Sequence, residues 1–300
     1  MKDLLEKASA LMERAEKLLL KIEETFVMGD DLVDCSTKDS QLFRWVKKGS
    51  LGTLKPLLVR VGIRLEDLHG VDRQKEMLVR NTRQFLKGFE ANNVLLWGAR
   101  GTGKSSLIRA LIPAFKGEGL RLIEVGKEDL RNLPEIVEAI ANSPYRFILF
   151  CDDLSFEDGE PGFRDLKALL DGALSTASDR FLIYATSNRR HFMSEKVAST
   201  VRGEEIHPEE AVDEKISLSD RFGLWLPFYP FSQEVYLEIV GHWLKVFGLP
   251  GEIEEEVRGE ALRWAMMRGS RNGRTAWQFA KDYAGRWKMR AREAKSGVRF

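Results

Sequence analysis

Eight consecutive residues carry the pattern G-x-x-x-x-G-K-[ST], from Gly98 to Ser105. Glycines at these positions let the backbone turn tightly, so that its N–H groups point into one concavity that holds phosphate oxygens. Lys104 can then reach the β- and γ-phosphates of a nucleotide, and the Ser105 hydroxyl can bind Mg²⁺. The pattern predicts an ATP and Mg²⁺ site. Its predicted residues are Gly98, Ala99, Arg100, Gly101, Thr102, Gly103, Lys104, Ser105 and Ser106.

Two adjacent carboxylates, Asp152 and Asp153, follow the apolar run 147–151. Paired like charges at the end of a buried strand are costly unless a cation lies nearby. We expect Asp152 to hold the Mg²⁺ shell, usually through water, and Asp153 to orient the water that attacks the γ-phosphate. Glu157, four residues further on, is a second candidate for the latter role. The alternative is a pair of turn carboxylates, or a cap for the helix that follows.

Buried strands must position these residues, and their spacing predicts a parallel sheet. Short apolar runs alternate with helical patterns, and nearly continuous apolar strands are typical of a sheet that is covered on both faces. We expect strands at 94–97, 120–125, 147–151, 181–186 and 224–228, and helices at 107–115, 133–141 and 163–177. An amphipathic helix is predicted up to Met28, and only helix beyond Tyr229. The predicted regions are an N-terminal helical region at 1–60, an α/β nucleotide domain at 61–229 and a helical lid at 230–300.

Together these motifs resemble the AAA+ superfamily of ATPases over about residues 63–300. The resemblance implies an α/β P-loop fold with a parallel sheet, a C-terminal helical lid and an N-terminal helical appendage. It also implies that Asn188, which follows the fourth predicted strand, senses the γ-phosphate. Arg221, in SLSDRFG, would be an arginine finger that reaches a neighbouring subunit, and Arg274 would contact the γ-phosphate from the lid. Arg271 competes with Arg274 for that role.

The longer segments FILFCDDLSFE and YATSNRRH resemble a bacterial AAA+ subfamily of unknown function. Two departures from the general AAA+ pattern bear on mechanism. The second acid of the pair is Asp153, which is one methylene shorter than the usual Glu. An aromatic pore-loop signature is not evident between residues 126 and 132, which makes threading of a polypeptide less expected.

Composition limits the class of protein. Hydrophobic residues make up 43% of the 300-residue chain, enough for a core, and the formal charge of +1 argues against a strongly cationic coat. No apolar run approaches the roughly 20 residues that span a bilayer, and the charged start is unlike a secretory signal. Two cysteines and four scattered histidines predict no disulfide framework and no metal site other than Mg²⁺. We therefore expect a soluble, cytoplasmic protein.

The small net charge is a sum that includes one acidic and one basic segment. Residues 203–214 hold six acids and no Lys or Arg, which is typical either of a solvated loop or of a partner-contacting insert. Residues 261–300 carry eleven Lys/Arg and two Asp/Glu with interleaved aromatics, which leaves nucleic-acid contact open. The expected function is Mg²⁺-dependent ATP hydrolysis in a homo-oligomer such as a ring. Three uses remain open, namely remodelling of a protein partner, a nucleic-acid motor or loader, and an assembly switch with little turnover.

Overall fold

The computed structural model describes residues 40–48, 51–57, 62–155, 161–172, 179–188, 218–251 and 253–296. Three features that the sequence analysis singles out lie outside these residues. They are the predicted helix at 1–28, the candidate acid Glu157 and the acidic segment 203–214.

A seven-stranded, mostly parallel sheet forms the centre of the α/β domain. Its strands are β1 Leu42–Lys48, β2 Leu51–Pro56, β3 Val94–Gly98, β4 Leu120–Val125, β5 Arg146–Cys151, β6 Phe181–Ser187 and β7 Leu224–Phe228. They are arranged in the order β2-β1-β4-β5-β6-β3-β7. The five predicted strands are all present and parallel to their neighbours, as continuous apolar runs require.

The β1–β2 hairpin corrects the prediction that residues 1–60 are helical. β2 is antiparallel to β1, and β1 pairs in parallel with β4, so the hairpin widens the sheet at that edge. Its side chains alternate with period two, since Phe43 and Trp45 are buried while Arg44 is exposed. Gly52 is needed opposite the indole, because a Cβ there would lie 1.8 Å from a ring carbon of Trp45. Interspersed charges hide this alternation in the sequence.

Helices cover both faces of the sheet. They are α1 Asp72–Leu86, α2 Lys104–Ala114, α3 Leu133–Ile140 and α4 Pro161–Leu170, the last of which ends seven residues before its predicted end. α1 and α2 pack on one face around Leu96, and α3 and α4 pack on the other around Leu149. Because parallel strands end together, the β3, β5 and β6 carboxyl ends meet at one edge of the sheet.

The lid comprises three helices, α5 Gln233–Val246, α6 Glu255–Met267 and α7 Gly273–Ser296. Beyond β7 the described residues form helices only, as the sequence predicts. Ser232 caps α5 by accepting a hydrogen bond from the Val235 N–H at 3.3 Å. The lid has its own core, in which the Tyr236 hydroxyl donates to the Ala261 carbonyl at 3.1 Å.

Candidate functional site

The glycine-rich loop connects β3 to α2 and is held against β7. Gly98 has φ 125°, and a Cβ there would lie 2.1 Å from the Phe228 carbonyl oxygen, so only glycine fits. The Ala99 N–H donates to that same carbonyl at 2.9 Å. Within the loop, the Thr102 hydroxyl donates to the Ala99 carbonyl at 2.7 Å. This close approach of two backbones fixes the loop to the sheet.

Lys104 is buried at the first position of α2, with only 7% of its surface exposed. Its Nζ donates to the carbonyls of Gly98 and Ala99 at 2.8 Å each, and to Asn188 Oδ1 at 3.1 Å. Burial lowers the pKa of Lys104 to about 8, against the opposing attraction of the Asp153 and Asp152 carboxylates. The ammonium group is therefore poorly compensated until an anion approaches.

The two predicted Mg²⁺ residues lie side by side. The Ser105 hydroxyl donates to Asp152 Oδ1 at 2.5 Å, and the Thr186 hydroxyl donates to the same oxygen at 2.7 Å. Arg109 approaches the other carboxylate oxygen at 3.4 Å. A hydroxyl and a carboxylate at the edge of an open cavity are the hard oxygen donors that Mg²⁺ prefers, so the residues present fit this ion.

Asp153 has a left-handed backbone conformation, with φ 53°. Its N–H donates to the Thr186 hydroxyl at 2.8 Å, and its carboxylate accepts a hydrogen bond from the Asn188 side-chain amide. Asn188 thus connects Lys104 to Asp153, because one side of its amide faces each of them. The structure brings Lys104, Asp152, Asp153 and Asn188 into a single hydrogen-bonded group.

Sequence reasoning missed Thr186 and Arg109. Thr186 lies on β6 two residues before Asn188, and two polar residues, Thr186 and Ser187, at the end of a buried strand were the available signal. Arg109 follows Ser105 by four residues on α2, which places both on one helix face. Its Nε donates to Glu124 at 2.8 Å, and Arg44 of β1 donates to the other oxygen of Glu124 at 2.9 Å. Burial would raise the pKa of Glu124, but these hydrogen bonds outweigh it and lower the pKa.

A cavity of about 820 Å³ lies between the α/β domain and the lid. The loop residues 100–106 line it, together with Asp152, Asp153 and Asn188. Arg274 lines the cavity from the lid. The backbone N–H of Arg274 donates to the Gly101 carbonyl at 3.3 Å. Arg271 and Arg221 are not among the lining residues; Arg221 instead forms an ion pair with Asp171.

Two reciprocal histidine–carboxylate pairs join the lid to the α/β domain beside this cavity. His69 Nδ1 lies 2.9 Å from Glu238 Oε1, and His242 Nε2 lies 2.9 Å from Asp67 Oδ1. The two imidazole rings are in contact, with centroids 4.5 Å apart. Asp67 and His69 precede α1, whereas Glu238 and His242 are one turn apart on α5. Each domain therefore contributes one histidine and one carboxylate.

A family model described as "Protein of unknown function (DUF815)" matches residues 38–287, a range that includes the β1–β2 hairpin. The chain belongs to this family. No curated protein matches the chain by sequence.

Among solved structures, this DUF815 chain is similar to RuvB of Thermotoga maritima, a Holliday junction branch migration motor. The TM-score is 0.50 at 17% identity, covering 73% of this chain and 63% of RuvB. It is also similar to Orc1 of Aeropyrum pernix, solved in complex with DNA. There the TM-score is 0.52 at 15% identity, covering 74% of this chain and 61% of Orc1. The chain thus spans less than two thirds of either protein. Both similarities lie below 25% identity and therefore show the fold alone, which is the AAA+ P-loop fold that the sequence predicts.

Two absences hold for the described part of the chain. None of its helices is long and apolar enough to cross a membrane. It also contains no group of three or more His, Cys, Asp or Glu side chains arranged to hold a metal ion. Mg²⁺ would instead be held by few protein ligands plus phosphate oxygens and water, which is how such sites are usually built.

Proposed function

We propose that this DUF815 protein is an ATPase that binds ATP with Mg²⁺ and hydrolyses it between its α/β domain and its lid. The observation that supports this best is the hydrogen-bonded group around Lys104. The buried ammonium, the Ser105–Asp152 pair and the Asn188–Asp153 pair all border one cavity. Such an arrangement suits phosphoryl transfer, which depends on positioning and charge stabilisation more than on covalent chemistry.

Each residue then has a distinct task. Lys104 exchanges its loop carbonyls for phosphate oxygens, which compensate its charge better. Ser105 and Asp152 hold Mg²⁺, which neutralises charge on the phosphates when bound. Asp153 accepts a proton from the attacking water, and Asn188 fixes the Asp153 carboxylate while remaining close to Lys104. Glu157 stays an alternative to Asp153 because it lies outside the described residues.

The lid and a second subunit supply the remaining cations. Arg274 lines the cavity from α7 and is the better candidate for a γ-phosphate contact than Arg271. Arg221 lies away from the cavity of its own chain and is paired with Asp171, so we propose that it acts on a neighbouring subunit's nucleotide. That role requires a homo-oligomer.

The first experiment is an ATP turnover assay on Lys104→Ala. We expect turnover to fall to background, because the buried cation facing the phosphates is lost. Lys116→Ala removes an exposed lysine just beyond α2 and is the matched control. Normal turnover by Lys104→Ala would refute the ATPase assignment.

The second arm mixes two inactive variants. Arg221→Ala keeps an intact site but lacks the finger, whereas Lys104→Ala keeps the finger but lacks the site. Mixed oligomers contain interfaces that have both, so mixing should restore part of the turnover. Absence of recovery in oligomers that demonstrably exchange subunits would exclude action between subunits.

ATP turnover would drive a change between the α/β domain and the lid, because both line the cavity. That change serves to remodel a protein or nucleic-acid partner. An assembly switch with little turnover is the alternative use of the same nucleotide site. Mass measurement with and without ATP, beside the turnover assay, separates the two. Assembly that depends on ATP without turnover supports the switch.

A further inference from the structure

The solvent-facing side of α7 carries a continuous row of cations. The helix spans Gly273–Ser296, and seven Lys/Arg against two Asp/Glu give it a formal charge of +5. Arg274, Lys281, Lys288 and Arg292 are all exposed. Their spacings of seven, seven and four residues place them on one face of an α-helix. We call these four residues the α7 basic row.

The opposite face of α7 packs on the lid core, which fixes the direction of the row. Ala276, Phe279, Ala280 and Ala284 are buried there. At 1.5 Å per residue, the basic row extends over about 27 Å. A rigid helix therefore presents Lys281, Lys288 and Arg292 towards solvent, in line with Arg274, which lines the nucleotide cavity.

The charges of the row are not neutralised within the described part of the chain. Lys281, Lys288 and Arg292 have no carboxylate within salt-bridge distance there. Lys281 instead lies over the ring of Trp277, 4.9 Å from its centroid. Arg286, on the side of α7, differs sharply because it is bound by both Asp282 and Glu260. Arg286 is thus compensated within the described residues, whereas Lys281, Lys288 and Arg292 are not.

Gly285 lies inside α7, between Lys281 and Lys288. A glycine inside a helix is less stable than an alanine at the same position. No atom lies within 4 Å of the position where its Cβ would be, so packing in this chain does not require it. A bare backbone between two cations lets an extended ligand approach the helix closely.

We propose that the α7 basic row binds the phosphate backbone of nucleic acid. A straight line of uncompensated cations matches a ligand with regularly repeated negative charge. Trp277, which is partly exposed beside Lys281, offers an aromatic surface on which an unpaired base can stack. An acidic protein segment needs neither a row of this length nor that ring.

The position of the row deepens the proposed function by naming the class of partner. Arg274, its first member, also lines the nucleotide cavity. One rigid helix therefore contacts both ligands, so that a change at the γ-phosphate is transmitted directly along α7. Binding of nucleic acid itself needs no ATP, which keeps a test of binding separate from a test of turnover.

The experiment measures fluorescence anisotropy of a labelled 30-base-pair DNA duplex and of its single strand, without nucleotide, from 50 to 300 mM NaCl. The test variant of the full chain is Lys281→Ala/Lys288→Ala/Arg292→Ala. The control variant is Lys116→Ala/Arg131→Ala/Arg164→Ala, which makes the same change in net charge at exposed sites on other elements. Circular dichroism and binding of a fluorescent ATP analogue establish that both variants are folded.

We expect the wild type and the control to bind and the row variant to bind at least roughly tenfold more weakly. Loss of three phosphate contacts should reduce the slope of log affinity against log salt by about 2.7 for the duplex. Preference for the single strand would indicate stacking on Trp277, and preference for the duplex would indicate charge alone. Both support the proposal.

Three results would overturn it: no binding by the wild type at 50 mM NaCl, equal weakening in both variants, or an unchanged salt slope in the row variant. A labelled peptide of residues 203–214 serves as the competing ligand. If the row binds that peptide and not DNA, the row is a contact for the acidic segment of this chain.

Discussion

The Thr186 hydroxyl is expected to determine the arrangement of both acidic residues, and its removal is the most direct test of the site's geometry. Thr186 is 1% exposed; it donates to Asp152 at 2.7 Å and accepts from the Asp153 N–H at 2.8 Å. Valine has nearly the same shape but can make neither bond. We therefore expect Thr186→Val to misplace Asp152 and Asp153 without changing the volume of the core.

The expected magnitude follows from the two bonds. A hydrogen bond to a charged group contributes about 1.5–3 kcal/mol. The Asp153 N–H is only partly buried, so leaving it without an acceptor costs about 1 kcal/mol, the lower end of the range for buried groups. Thr186→Val should thus lower the free energy of unfolding by about 3 kcal/mol. Thr186→Ser keeps both bonds and removes one methyl group, so it should cost only about 1 kcal/mol.

Urea denaturation followed by tryptophan fluorescence measures the stability difference between the two variants. Mg²⁺ titration of ATP-analogue binding measures the effect on the site, and we expect Thr186→Val to require more Mg²⁺ for half-saturation while Thr186→Ser behaves like the wild type. Equal stability and equal Mg²⁺ dependence of the two variants would refute the reasoning, because the hydroxyl would then position nothing.

Two further predictions concern the backbone contact of the loop and the alkaline limit of stability. Gly98→Ala should unfold at a lower temperature than Gly117→Ala. Both sites have positive φ, but only at Gly98 would the added Cβ meet a backbone atom, the carbonyl oxygen of Phe228. Equal melting temperatures of the two variants would show that the protein relieves this contact at little cost. Burial raises the pKa of Tyr184 to about 12, so its contribution to stability is complete below the unfolded pKa near 10 and is lost as pH rises through 12. In Tyr184→Phe the loss of stability between pH 10 and 12, measured by urea denaturation, should be smaller by roughly 2 kcal/mol, and an unchanged alkaline slope would contradict this.

The predictable part of the fold is the part whose signal is local. Apolar runs such as 147–151 indicate buried strands because both faces of a parallel sheet are covered, and G-x-x-x-x-G-K-[ST] fixes a loop through glycine's conformational freedom. The β1–β2 hairpin was missed because three of the seven β1 residues are charged and β2 contains Gly52 and Pro56. Arg44 and Lys47 are placed by contacts with Glu124 and Glu135, more than 75 positions away. A single-sequence pattern contains no record of such pairs.

The residues of the site also differ in whether the sequence around them carries a local signal. Lys104, Asp152 and Asn188 each belong to a motif with its own strand or helix signal, whereas Thr186 matters only because β5 and β6 are adjacent. The cross-domain pairs of His69 and His242 were also beyond sequence reasoning. The spacing of the four histidines does not predict the reciprocal contacts, because these join residues 169 and 175 positions apart in the sequence.

Those reciprocal pairs also limit how the lid can move. A single attachment point would allow the lid to swivel in any direction, but two points define a line. His69–Glu238 and His242–Asp67 are two such points, and the 4.5 Å between their rings places them almost side by side. Rotation about that line keeps both contacts but would separate the Arg274 backbone N–H from the Gly101 carbonyl. We therefore expect the lid to turn about this single axis once the Arg274 contact opens, with α7 moving in a fixed plane.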